Sequence, residues 1–358
     1  MTRRTDRLRL GVVGLTHVHV GWCLDAGRRG EVDVVGIWEP STEVYAGYAS
    51  RYEGMGTEWG ARFRSLTSMV EETGVEALSV MNSTLEHEGV VERVGRVCGE
   101  RGIVLFVEKP LAVSAKAAER IAAMSERWGV TVLTNYETSW YANMREGERL
   151  LRAGELGALR RLVFRTGHAG PVEIGCPPEF LAWLCDPAWN GGGALMDFGC
   201  YGAVASLWMM GGREPDVVTA TAATTKPGVY PKVEDDATIV CQWRGDGNGD
   251  GVVAVIQPSW AWTHDVKDCD VYGEIASAHC GRWDDLVVRE SNHEAKKVQV
   301  PPTAWFEQGA TLGGMWNCLR DVARGEEPVD PMSSLDLNVK ACRILDRARE
   351  AAGLPVPG

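Results

Sequence analysis

Apolar residues in the first 134 positions fall into short unbroken runs separated by stretches with helical spacing. Residues 8–14 (Leu-Arg-Leu-Gly-Val-Val-Gly), 32–38, 76–81, 103–107 and 130–133 are rich in aliphatic and β-branched side chains. A continuous run of this length reads as a strand buried on both faces, because a half-exposed strand would alternate apolar with polar positions. Residues 20–29, 44–52, a stretch ending near Glu100, and 114–128 carry the spacing of amphipathic helices. Strand alternating with helix predicts an α/β unit of the Rossmann kind, a doubly wound parallel sheet with helices on both faces.

The alternation stops near Thr134 and Asn135, dividing the chain into units spanning 1–134 and 135–358. The second opens with a helix over 141–153, a Gly154-Glu155-Leu156-Gly157 turn and a strand over 159–166. Beyond Asp216 the runs 217–225, 237–243, 252–257, 270–273 and 286–289 are short and separated by turns. They predict a C-terminal α+β unit built on a large, mainly antiparallel open sheet. Helices over 305–324 and 334–352 complete it. The segment from Asp246 to Gly251 matches the first half of a calcium loop. Its twelfth position is Gln257 where a glutamate is required, and the residues after Gly251 alternate like a strand, so the segment reads as a hairpin turn.

Composition narrows the class. At 358 residues the chain exceeds one ordinary domain, and 45% apolar with 24% charged residues is the balance of a globular protein with ample core. A net charge of −12 argues against nucleic acid and anionic membrane as partners, since both require a basic face. The ten cysteines include no C-x-x-C pair and read as core thiols of a reducing compartment. No apolar run reaches the length of a membrane span, and the start Met1-Thr-Arg-Arg lacks a following signal-peptide core, so a cytoplasmic location is expected.

Candidate chemistry gathers where strands end. The buried run 103–107 stops at Glu108-Lys109-Pro110, and ligands of open α/β sheets sit outside the carboxyl ends of strands. The first strand enters Gly14-Leu15-Thr16-His17-Val18-His19, where a dinucleotide turn would read G-x-G-x-x-G. Only the first glycine is present. Thr16 brings a Cβ to the phosphate position, with a hydroxyl able to donate to it, and the following helix offers free amides. Glu39 ends the second strand 25 residues beyond Gly14, placed to accept from an adenosine ribose or to cap the next helix. Neither Ser41 nor Thr42 provides a cation for a 2′-phosphate, which favours NAD over NADP. His17 and His19 form an H-x-H pair that can ligate zinc, with His87 a third candidate. No further ligand stands at recognisable spacing, so no metal is expected. One histidine contacting cofactor or substrate while the other packs, and a structural role for both, remain open.

Asn190 begins Asn-Gly-Gly-Gly-Ala-Leu-Met-Asp197-Phe-Gly-Cys-Tyr201, three glycines leading into a helix with Asp197 and Tyr201 four apart on one face. This stretch, Glu108-Lys109-Pro110, and the turn from Asn82 to His87 together resemble the glucose-fructose oxidoreductase, inositol dehydrogenase and MocA family. The turn is similar to the family's T-P-N-x-x-H, with Ser83 in place of proline. In Asp197-Phe-Gly-Cys-Tyr201, tyrosine replaces the usual final histidine, as in the sugar and dihydrodiol branches.

The resemblance implies an NAD(P)-dependent oxidoreductase that transfers a hydride between nicotinamide and a secondary alcohol or ketone of a sugar, cyclitol or related polyol. Lys109, Asp197 and Tyr201 are then catalytic. Tyr201 carries the proton, Lys109 donates to the reacting oxygen and favours the phenolate, Asp197 orients, and Glu108 positions Lys109; the alternative split, in which Lys109 itself carries the proton, stays open on the sequence. Gly14, Thr16, His17, Glu39, Asn82, His87, Glu108, Lys109 and Pro110 contact the cofactor. The resemblance also implies a homo-oligomer paired through the open sheet. Two other functions use the same residues: a glycosidase or lyase working by transient oxidation and elimination on tightly held NAD, and a non-catalytic NAD-binding sensor. The fourteen tryptophans, Trp140, Trp183, Trp260 and Trp262 among them, are able to stack on a sugar, with core packing their default role.

Overall fold

A computed structural model describes residues 6–53, 60–245, 251–290, 294–300 and 313–358. The first sheet contains β1 (Leu8–Val13), β2 (Val32–Trp38), β3 (Ala61–Phe63), β4 (Ala77–Val80), β5 (Val104–Glu108) and β6 (Val132–Asn135), parallel throughout in the order β3-β2-β1-β4-β5-β6. Between the strands run α1 (Val20–Arg29), α2 (Thr42–Glu53), α3 (Leu66–Glu72), α4 (Glu86–Arg101) and α5 (Ala115–Trp128). Their ends follow local chemistry. Ser65 and Ser114 cap α3 and α5 by accepting from Ser68 and Ala117 amides, and α1, α4 and α5 stop on left-handed Gly30, Gly102 and Gly129.

Successive residues of β5 enter opposite cores, which is why the run is apolar without alternation. Val104 and Phe106 pack with α1 on one face, and Leu105 and Val107 with α4 and α5 on the other. Glu39 follows β2 at the same end of this parallel sheet as Glu108 on β5, so the two carboxylates share one rim.

The second sheet has eight strands in the order β14-β13-β12-β11-β7-β10-β9-β8. They are β7 (Leu159–Gly167), β8 (Val217–Ala223), β9 (Asp236–Trp243), β10 (Val252–Ser259), β11 (Val266–Gly273), β12 (Ala276–Cys280), β13 (Leu286–Glu290) and β14 (Lys296–Val298). All pairs are antiparallel except β7 with β10. With α6 (Ala142–Arg152), α7 (Pro178–Leu184), α8 (Pro187–Asn190), α9 (Ala194–Met209), α10 (Gly313–Ala323) and α11 (Leu335–Ala351), this gives the α+β unit expected.

Every residue of α9 is buried, between the sheet and α11. Leu162 and Phe164 belong to that core, while Val163 and Arg165 face the open side. The expected strand 270–273 is the end of β11, which begins at Val266; the alternating charges of Lys267, Asp268 and Asp270 mask its start. Short elements such as β3, α3, α7, α8, β12 and β14 lack enough turns or pairs for a periodic signal. The Asp246 to Asp250 loop and residues 305–312 of the expected helix lie outside the described residues. α10 packs on β1, β4 and β5 of the first sheet, so the chain returns to its first unit after building the second.

Candidate active site

Lys109 leaves the end of β5 and is almost fully buried. Its ammonium donates to the carboxylate of Asp197, and to the Asp197 carbonyl oxygen at 3.2 Å. Burial works against both charges, but their mutual attraction outweighs it: the Asp197 carboxyl is held below its usual range and the Lys109 ammonium above. The other Asp197 oxygen accepts from Trp260 Nε1 at 2.9 Å. Trp260 is completely buried, which gives it a structural role and not a sugar-stacking one. Glu108 does not touch the ammonium. One of its oxygens accepts from the Lys109 backbone amide at 3.2 Å and the other from Asn135 Nδ2 at 2.7 Å, so it fixes the main chain from which Lys109 projects. Pro110 follows in the cis form.

The triple glycine before Asp197 is a close-packed seat. A Cβ on Gly193 would stand 2.0 Å from the Glu234 carbonyl oxygen, and Gly191 has φ +84° with the Val113 carbonyl 2.7 Å from where its Cβ would be. The buried Glu234 carboxylate accepts from the Gly193 and Leu195 amides at 2.8 and 3.0 Å, satisfying the free donors at the start of α9. From α11, the buried Arg349 guanidinium donates to the carbonyls of Gly191 at 2.6 Å and Val113 at 2.9 Å. It therefore ties the segment after Pro110 to the segment before Asp197.

One turn beyond Asp197, Tyr201 is 3% exposed, and burial pushes its phenol well above the usual value. Lys109 Nζ lies 5.5 Å from the centre of its ring and Lys267 Nζ 5.7 Å. Lys267, on β11, is ion-paired with the buried Glu137, whose carboxyl is lowered to about 2 because the attraction of Lys267 exceeds the cost of burial. Together with His17, His19, His168 and Asp265, Lys109, Asp197, Tyr201 and Lys267 line a cavity of ≈ 200 Å³.

The turn after β1 forms the rim of the same region. Gly14 has φ +80°, and a Cβ there would be 2.7 Å from Asn82. Glu39 is buried at the end of β2 and accepts from the amides of Leu15 at 2.8 Å and Ser41 at 2.7 Å. Among the described residues, the buried polar atoms Thr16 Oγ1, His17 Nε2, Asn82 Oδ1 and His87 Nε2 have no hydrogen-bond partner. A row of unsatisfied groups at the carboxyl edge of a parallel sheet fits a polar, many-oxygened ligand such as a dinucleotide. His87 Nδ1 donates to the Leu111 carbonyl at 3.1 Å, and burial lowers its pKa to about 4. The segment carrying α7 and α8 covers this rim: Trp183 Nε1 donates to Thr16 O at 3.3 Å, the Leu85 amide to Trp189 O at 2.9 Å, and Thr84 Oγ1 to Asn190 Oδ1 at 2.8 Å.

The histidine pair is also placed. His17 packs against Phe180 and Trp183, while His19 stacks on Trp22 and its Nδ1 lies 3.0 Å from Glu108 Oε2. His87 is not part of that cluster. Lys267, Glu137 and His168 went unseen in the sequence: pairing of β11 with β7 brings Lys267 to Tyr201, Glu137 joins it as its ion-pair partner, and His168, just after β7, lines the same cavity. Arg62 was missed too. It reaches from β3 to donate to Glu39 O at 3.1 Å and Thr42 Oγ1 at 3.3 Å, placing a cation beside the end of β2 where residues 41 and 42 are neutral.

Two family models match the chain. That of the oxidoreductase family with an NAD-binding Rossmann fold covers residues 8–136, and that of the GFO/IDH/MocA C-terminal domain covers residues 144–279. Human trans-1,2-dihydrobenzene-1,2-diol dehydrogenase is 23% identical over 299 residues, 82% of this chain and 83% of that protein. The rhizopine catabolism protein MocA of Rhizobium meliloti is 26% identical over 250 residues, 68% of this chain and 70% of its own length. An inositol dehydrogenase homologue from Azotobacter vinelandii, solved with NAD+, superposes with a TM-score of 0.79 at 18% identity, covering 98% of this chain and 96% of its own.

Proposed function

The chain belongs to the GFO/IDH/MocA family of NAD-binding oxidoreductases, and from that premise we propose that it interconverts a secondary alcohol and a ketone on a sugar, cyclitol or related polyol. The observation that carries this reading is the convergence of Lys109, Asp197 and Tyr201 on one cavity at the carboxyl edge of the parallel sheet. When bound at the rim, a nicotinamide would supply or accept the hydride. Glu39, Thr16, Asn82, His87 and the β5 edge are the groups that would hold it.

The protein's own part is to manage the proton and the oxygen. Lys109 donates a charge-assisted hydrogen bond to the reacting oxygen, and Asp197 keeps that ammonium protonated and pointed. Tyr201, neutral because it is buried, gives its proton to the oxygen when a ketone is reduced and takes it back when an alcohol is oxidised. The two ammonium groups near its ring favour the phenolate formed in passing. The protonation states at rest, Lys109 charged and Tyr201 neutral, are those needed to begin a reduction.

Glu39 favours NAD, and Arg62 is the residue through which a 2′-phosphate would be accommodated. The test is a titration of cofactor-stripped protein with NADH and with NADPH, read by energy transfer from tryptophan, followed by turnover assays on a panel of polyols and ketoses. Saturable binding with turnover of a polyol or ketose supports the reading. Failure of both dinucleotides to bind overturns it.

A further inference from the structure

Glu108 has no exposed surface, and among the described residues no lysine or arginine is ion-paired with it. Besides the Lys109 amide and Asn135 Nδ2, its neighbours are two imidazoles: His19 Nδ1 at 3.0 Å and His17 Nε2 at 3.9 Å, both measured to Oε2. One ligand atom from each of the three residues lies within 4.8 Å of the others. His17 Nε2 is completely buried and has no hydrogen-bond partner among the described residues. The wider site does not offset the charge. Lys109 is matched by Asp197 and Lys267 by Glu137, leaving the Glu108 carboxylate as the unbalanced group. Buried carboxylates are ordinarily paired with a cation or coordinated to a metal.

We propose that His17, His19 and Glu108 form a binding site for a divalent transition-metal ion of the zinc type, with one coordination position open to the cavity beside Lys109. Two imidazole nitrogens and a carboxylate oxygen are a zinc donor set, and three protein ligands with a free fourth position is the pattern of sites that take an exogenous oxygen. Ligands about 2.0–2.1 Å from a tetrahedral ion are separated by roughly 3.3 Å, and the observed edges of 3.0 and 3.9 Å bracket that spacing. Coordination through His17 Nε2 moves the ring proton to Nδ1 and gives up the 3.1 Å hydrogen bond that Nδ1 accepts from the His19 amide. A metal–nitrogen bond replaces it.

The sequence hid the site because the third ligand stands 89 residues beyond His19, at the end of another strand. The open position suits an oxygen donor: water, or a substrate carbonyl or hydroxyl already within reach of Lys109. A vicinal hydroxyketone or diol is the substrate class able to use ion and ammonium together. This site needs only the three side chains; because His17 and Glu108 are also among the residues expected to contact a dinucleotide, the metal is titrated on dinucleotide-free protein.

The experiment is to strip the full chain with a chelator and titrate it with Co2+, following the visible absorption of the four-coordinate ion, then to displace the cobalt with Zn2+. One equivalent bound with an intense visible band is expected. Glu108→Gln, folded by far-ultraviolet circular dichroism, should weaken binding by at least about 100-fold, the upper end of what losing a mere outer-shell partner costs. His19→Ala changes the least buried ligand and serves as the second variant if Glu108→Gln does not fold; the same loss is expected. Absence of a stoichiometric cobalt band in the native chain, or equal affinity in the folded variants, overturns the proposal. NADH titration of the same stripped protein reports separately on the dinucleotide reading.

Discussion

Lys109, Asp197 and Tyr201 divide the work in a way their buried surroundings explain. Burial alone would neutralise the lysine and the aspartate, so each ion exists because the other is in contact with it; Tyr201, lacking a hydrogen-bonded partner ion, stays neutral. Replacing Tyr201 with Phe removes the proton carrier but keeps the ring that packs on Tyr136 and Phe198. Turnover should fall about 10²- to 10⁴-fold with NADH affinity unchanged, a split that steady-state kinetics and a fluorescence titration resolve. Glu137 gives a pH prediction. Its folded value of about 2 lies below the 4.5 of the free group, so its stabilising effect is fully present above pH 4.5 and is lost as pH falls toward 2. Urea unfolding should show about 3 kcal/mol disappearing over that window, and Glu137→Gln should lack this acid limb. At this scale the sequence displayed the residues standing in contiguous motifs, Lys109, Asp197 and Tyr201. It was silent on Lys267, Glu137 and Arg62, whose roles arise from side-chain contacts between residues distant in the chain. For Glu108 the expected positioning role runs through the Lys109 backbone amide, while the ammonium itself goes to Asp197.

Among the elements, the segment carrying α7 and α8 has the largest consequence. These short helices have no long periodic signal, and the sequence did not anticipate them. They nevertheless cover Thr16 and Thr84, so under the proposed reading they stand over the entrance to the dinucleotide site. Trp183→Ala removes the indole that donates to Thr16 O and packs on His17. Stopped-flow fluorescence should show NADH associating faster with this variant than with the native chain; an unchanged association rate would mean that the cover does not limit entry. The alternating helices and buried strands of the first sheet were legible because each spans several periods. The antiparallel strands were legible in number only roughly, since charged residues on the open face break the apolar pattern, as at Lys267 to Asp270.

For the whole molecule, the large sheet leaves one face without helices among the described residues. On it, Val163, Val255 and Val240 stand side by side through the registers Val255 with Val163 and Val255 with Val240. Flanking them, Arg165 bridges Asp268 and Asp270. An apolar stripe bordered by satisfied charges suits self-association. The native chain should sediment as a dimer or larger, and Val255→Asp should shift it to the monomer in analytical ultracentrifugation. The two-sheet architecture could be read from where strand-helix alternation gives way to turn-separated strands. The return of α10 to the first sheet could not, because an amphipathic helix does not name the surface it will cover.

Arg349 joins these scales. Its guanidinium holds the carbonyls of Val113 and Gly191, so α11 clamps together the two segments that carry Lys109 and Asp197. For protein engineering, this makes α11 an adjustment point for the spacing of the catalytic pair, reachable without altering either partner. Libraries built only around the cavity would leave it out, whereas libraries that vary the neighbours of Arg349 would sample ångström-scale changes in the site at constant chemistry.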